Sequence, residues 1–118
     1  MTRVILDSNI LIGVLNGAID WSIPSSFDQQ FVSTVSVMEL FAFSGMSHQE
    51  EETIKRLLGT VIIIPVSFSI AEHAGRLLRT RKIGKADLLI AATALELGLP
   101  LMTRNVKDFK KIPGLKLI

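Results

Sequence analysis

Gly84-Lys85-Ala86-Asp87-Leu88-Leu89-Ile90-Ala91-Ala92-Thr93-Ala94 sets a single acid at the head of a run almost free of charge. From Leu88 to Leu97 only Thr93 and Glu96 are polar, and a helix that is apolar nearly all round is stable only when it is buried. Asp87 therefore stands at the mouth of a core helix. One turn and two turns on along its face lie Ala91 and Ala94, so side chains of methyl size leave room beside the carboxylate. An acid in the first turn also complements the helix dipole and meets free backbone N–H groups. That plain structural role competes with a functional one.

The flanking segments tell which fold buries this helix. On its N-terminal side, from Ser69 to about Lys82, apolar residues recur at Ile70, Ala74, Leu77 and Leu78, while Arg76, Arg79, Arg81 and Lys82 occupy the other face of an amphipathic helix. Before it, Val61-Ile62-Ile63-Ile64-Pro65 is a continuous β-branched run, expected for a central parallel strand covered on both sides. On its C-terminal side Gly98 is expected to cap the helix. Pro100-Leu101-Met102 then reads as a strand, Thr103 to Phe109 as a turn entering a helical segment, and Leu115-Lys116-Leu117-Ile118 as a last edge strand.

Toward the N-terminus, Arg3-Val4-Ile5-Leu6 reads as a buried strand followed by the polar turn Asp7-Ser8-Asn9 and a short helix ending near Gly17. Phe31 to Val35 reads as the second strand. Ser36 and Glu39 then have the spacing of a capping box, and Ser47 to Leu58 has acids near its start and Lys55-Arg56 near its end, as the dipole favours. The order βαβααβααβαβ predicts a three-layer α/β/α sandwich around a central, mainly parallel five-stranded sheet, as one domain over residues 1–118.

With 48% hydrophobic residues over 118 positions, the chain buries a core without covalent staples, and it has no cysteine. Disulfides and thiolate metal sites are excluded. No secretory leader or membrane span is evident, and a soluble cytoplasmic protein is expected. The net charge of +2 conceals an asymmetry: residues 1–75 carry −5, and residues 76–118 carry +7. A basic half of this kind is suited to a polyanion, although basic helix faces are commonly only solvated.

In parallel sheets flanked by helices, ligands bind at the carboxyl ends of the strands near the topological switch point. Asp7 follows the first strand, Glu39 begins the helix after the second, Asp87 opens a helix leading to the fourth, and Asp108 lies just beyond the fourth. Four acids in one crevice repel, since unit charges ~4 Å apart cost about 4 kcal/mol at an effective dielectric near 20. Such a cluster takes up protons or binds a cation. Oxygen ligands without histidine or cysteine select hard ions, so Mg²⁺ or Mn²⁺ is expected, a cofactor suited to phosphodiester hydrolysis.

At these residues the chain resembles the PIN domain family, most nearly the small VapC-type toxins of toxin–antitoxin pairs. The resemblance lies in Leu6-Asp7-Ser8-Asn9-Ile10-Leu11, Ser36-Val37-Met38-Glu39-Leu40, Lys85 to Ala94, and Thr103-Arg104-Asn105-Val106-Lys107-Asp108-Phe109. It implies a metal-dependent endoribonuclease acting on transfer, ribosomal or messenger RNA. By the same resemblance Asp7, Asp87 and Glu39 are metal ligands, and Asp108 supplies a fourth catalytic acid. Asn105 stands where some members have aspartate, so Asn9, Thr103 and Asn105 are expected to position water, metal or phosphate. Arg79, Arg81, Lys82, Lys85 and Arg104 are candidates for holding the RNA backbone. A homodimer and a cognate antitoxin are the implied protein partners.

Two other folds are disfavoured by single residues. A dehalogenase-like phosphatase requires an acid where Asn9 stands, and a receiver domain requires a phosphate-accepting aspartate where the third strand ends in Ile64-Pro65-Val66. The remaining alternative is a catalytically weak PIN-like module that binds RNA or protein.

Overall fold

A computed structural model describes residues 1–118. Its elements are β1 (Arg3–Leu6), α1 (Ser8–Leu15), a 3₁₀ turn (Pro24–Ser26), β2 (Gln29–Ser33), α2 (Thr34–Leu40), α3 (His48–Leu58), β3 (Ile62–Ile64), α4 (Phe68–Leu78), α5 (Lys85–Leu97), β4 (Leu101–Met102) and α6 (Val106–Phe109). All strand pairs are parallel, in the order β3-β2-β1-β4.

Side-chain alternation on β1 divides the core. Ile5 joins Ile70, Ala74 and Leu77 of α4, Leu88 to Ala94 of α5, and Phe109 on one face. Val4 and Leu6 join Ile10, Leu11, Leu40 and Ile54 on the other. This is the expected α/β/α arrangement. The α5 helix is buried as its composition requires, and Gly98 closes it at φ 66°, a conformation costly for residues with a Cβ. No helix is long and apolar enough to cross a membrane.

The sheet has four strands rather than five. Leu117 makes only an isolated parallel bridge to Leu101, framed by hydrogen bonds from Leu101 N–H to the Lys116 carbonyl (2.8 Å) and from Ile118 N–H to the Leu101 carbonyl (2.9 Å). Because β4 is itself only two residues long, it offers no room for a longer ladder. The isoleucine run at β3 lies at the sheet edge, paired to β2 alone, rather than in the centre. Ile62 and Ile63 are consequently 39% and 37% exposed. The two central places belong to β2, which pairs with β3 and β1, and to β1, which pairs with β2 and β4.

The start of α2 also differs from expectation. Ser33 is its N-cap, accepting a hydrogen bond from Val35 N–H at 3.1 Å, so β2 ends two residues earlier than the sequence pattern suggested. Ser36 lies inside the helix, buried, with no hydrogen-bond partner for its Oγ. There is therefore no Ser36–Glu39 capping box, and the glutamate is released for another role.

Candidate active site

The chain runs from β1 through β2 to β3 on one side and returns to place β4 on the other, so the switch point lies between β1 and β4. Asp7 N–H donates to the Met102 carbonyl at 3.1 Å, which fixes the residues following the two strands side by side. Asp7 and Thr103 meet there. Thr103 Oγ1 donates to Asp7 Oδ2 at 2.6 Å, a short charge-assisted bond, and accepts from Asn105 N–H at 2.9 Å. Asp7 is only 1% exposed, and the Asn9 N–H and Ser8 hydroxyl reach its other oxygen at 3.3 and 3.2 Å. Its cap role on α1 and its place in the acid cluster thus coexist.

Helix α2 contacts both α1 and α5, and so crosses from one layer to the other at this end of the sheet. Glu39 comes from its last turn and accepts a hydrogen bond from Ser8 Oγ at 2.9 Å. Asp87, in the first turn of α5, and Asp108, in the first turn of α6, are joined by Asn105. Its Nδ2 lies 3.4 Å from Asp87 Oδ2 and 3.2 Å from Asp108 Oδ2. Three uncharged residues, Ser8, Thr103 and Asn105, therefore string all four acids into one hydrogen-bonded chain. Phe109, fully buried, anchors the short α6 that carries Asp108.

Electrostatically the cluster has little positive charge to balance it. Burial, together with the charges of Asp7, Glu39 and Asp108, raises the pKa of Asp87 from the usual carboxylate value to about 6, against a smaller lowering by Asn105. The only ion pair any of the four makes is Asp108 with Lys111, at 3.8 Å. The other three have no lysine, arginine or histidine within 4.0 Å. As the side chains stand, no three acidic groups converge closely enough to enclose an ion by themselves. An ion held with one or two direct carboxylates and a remainder of water does not require such convergence.

The other expected site residues divide into two groups. Arg79 caps the end of α4, Arg81 donates to Thr80 Oγ1 at 2.8 Å, and Arg81, Lys82 and Lys85 follow along the connection into α5. Arg79, Lys82 and Lys85 are exposed. Arg104 instead turns onto α1, donating to the Asn9 carbonyl at 3.1 Å, beside Gly13, where a Cβ would sit 3.2 Å from its guanidinium. Asn9 thus serves the site through its backbone. Ser8 is the residue that sequence reasoning passed over, because a hydroxyl directly after Asp7 is also an ordinary helix-start residue.

The chain that carries these acids has known counterparts in sequence and fold. The family profile described as PIN domain matches residues 4–115. The chain belongs to the PIN domain family. Among family members, ribonuclease VapC10 of Mycobacterium tuberculosis is 35% identical over 122 residues, covering 96% of this chain and 90% of the relative. A toxin–antitoxin complex from Klebsiella pneumoniae superposes with a TM-score of 0.78 at 33% identity, covering 98% of this chain and 95% of that one. VapBC2 of Rickettsia felis, solved with a fragment of promoter DNA, gives a TM-score of 0.84 at 26% identity, covering 98% and 97%. These likenesses extend over almost the whole PIN domain, so they include all four acid-bearing segments.

Proposed function

We propose that this PIN domain is a metal-dependent endoribonuclease, the toxin of a VapBC-type pair, with Asp7, Glu39 and Asp87 holding a divalent cation and Asp108 completing the site. The observation that carries the reading is the gathering of three other acids around Asp87, whose pKa is raised to about 6 by burial and by the charges of Asp7, Glu39 and Asp108. Structural acids ordinarily acquire a basic partner, whereas perturbed groups concentrated in one cleft mark function. The donor set is entirely oxygen and fits Mg²⁺ or Mn²⁺. When bound, such an ion offsets charge on a phosphate and acidifies a nearby water.

The protein's own contribution is placement. Thr103 and the Asn9 N–H fix Asp7, and Asn105 ties Asp87 to Asp108. Arg79, Arg81, Lys82 and Lys85 would hold the RNA backbone leading to the acids, a contribution that weakens as salt rises. The chain has no tyrosine and one tryptophan, which disfavours a general single-strand groove built on base stacking. The relatives include a toxin–antitoxin complex, and a cognate antitoxin is the proposed partner.

The reading is tested by incubating wild type and Asp7→Asn with transfer, ribosomal and messenger RNA in Mg²⁺, Mn²⁺ or EDTA. Cleavage that requires the ion, leaves 5′-phosphate and 3′-hydroxyl ends and disappears in the variant is expected. Cleavage that persists in EDTA, or is equal in the variant, would overturn it. RNA binding without cleavage in any ion would favour the catalytically weak binding module.

A further inference from the structure

Ser8 occupies the first position of α1, where a hydroxyl commonly serves as a local cap. Here that role is taken by Asp7, and Ser8 Oγ neither accepts from a backbone amide nor donates to a backbone carbonyl. Its two partners are both carboxylates: Asp7 Oδ1 at 3.2 Å and Glu39 Oε1 at 2.9 Å. A hydroxyl has one proton, so these two acceptors share a single donor. Ser8 is buried, which strengthens the interaction and excludes water as a ready substitute.

The two acids do not depend on it equally. Asp7 retains the Asn9 N–H and Thr103 hydroxyl when Ser8 is removed. Glu39 has no other hydrogen-bond donor and no basic partner. A glutamate side chain with three free torsions, half-buried beside a like charge, turns away unless something holds it.

We propose that Ser8 is a positioning residue that holds Glu39 against Asp7 and so sets the carboxylate spacing for cation capture. This rests on the reading of the acid cluster as a divalent-cation site. Groups that orient metal ligands have characteristic effects on affinity when lost, and the effect of Ser8 must pass through Glu39.

The test is calorimetric titration of Mn²⁺ into the full-length wild type, Ser8→Ala, Ser8→Thr, Glu39→Gln and the Ser8→Ala/Glu39→Gln double variant, with melting curves in EDTA. Ser8→Ala is expected to lose roughly 10- to 100-fold in Mn²⁺ affinity, whereas Ser8→Thr, which keeps the hydroxyl, retains it. In the Glu39→Gln background Ser8→Ala should have no further effect. Wild-type affinity in Ser8→Ala overturns the assignment, and so does an equal loss in Ser8→Thr or an undiminished loss in the Glu39→Gln background. Should Ser8→Ala not fold, the assignment stands if Ser8→Thr binds Mn²⁺ like wild type and falls if it does not. Failure of the wild type itself to bind Mn²⁺ would remove the cation reading and this inference with it, whereas binding unaffected by Ser8→Ala removes only the latter.

Discussion

Replacing Asp87 by asparagine is expected to abolish RNA cleavage and, in the absence of metal, to make the protein more stable. Loss of a metal-holding carboxylate forfeits about 4 kcal/mol of transition-state stabilisation, or on the order of 10³-fold in rate. The stability gain has a different origin. In the folded protein the Asp87 pKa is raised to about 6 by burial and by Asp7, Glu39 and Asp108. The folded state therefore holds its proton more tightly than the unfolded state, whose carboxylate has an ordinary pKa. The group's favourable contribution is complete below roughly pH 4 and is lost as pH rises through about 6. At neutral pH Asp87 is a charge the fold resists. A fully buried acid with such a shift would carry ~3 kcal/mol, and screening at this half-buried position reduces the expected gain to about 1 kcal/mol. Thermal melts in EDTA should show Asp87→Asn higher by roughly 3–5 °C at pH 7.5, with the difference vanishing near pH 4. A variant melting at or below wild type at pH 7.5 would contradict this electrostatic account.

Thr103→Val should impair the same reaction with the opposite effect on stability. Valine keeps the shape of threonine but removes both the donor to Asp7 Oδ2 and the acceptor for Asn105 N–H. Hydrogen bonds to charged groups contribute about 1.5–3 kcal/mol, and a buried carboxylate stripped of one retains its desolvation penalty. The variant is expected to lose ~2 kcal/mol of stability and to cleave RNA roughly 10- to 100-fold more slowly, since Asp7 and the Asn105 turn both lose their reference point. Denaturant unfolding in EDTA and single-turnover cleavage in Mn²⁺ measure the two effects. Unchanged stability would show that Thr103 does not hold Asp7 in solution.

These opposite signs reflect what in the site was legible from sequence. Asp87 and Asp7 each had a competing role at a helix start, and they became readable together, as acids gathered with Glu39 and Asp108 at the carboxyl ends of the strands. The structure brings both into one chain with Glu39 and Asp108. The capping-box reading of Ser36 and Glu39 failed because Ser33, three residues earlier, captures the helix start. Spacing identifies a possible cap but cannot weigh rival caps. The isoleucine run read as a central strand, but β4 returns beside β1 rather than beside β3 and so leaves β3 at the edge. The fifth strand shrank to a bridge because its length depended on that of its neighbour. Ser8 was hidden by the commonness of hydroxyls at helix starts, whereas its function depends on Glu39, 31 positions away.

Divalent-cation capture by the acid cluster is the central claim, and it is tested most directly by titrating Mn²⁺ into the full-length protein at pH 7.5 while following the electron paramagnetic resonance of the free ion. The account predicts that wild type removes Mn²⁺ from solution, that Mg²⁺ competes it off, and that Asp87→Asn binds at least roughly 10-fold more weakly. Wild type and Asp87→Asn leaving the same free Mn²⁺ signal at every concentration would contradict it.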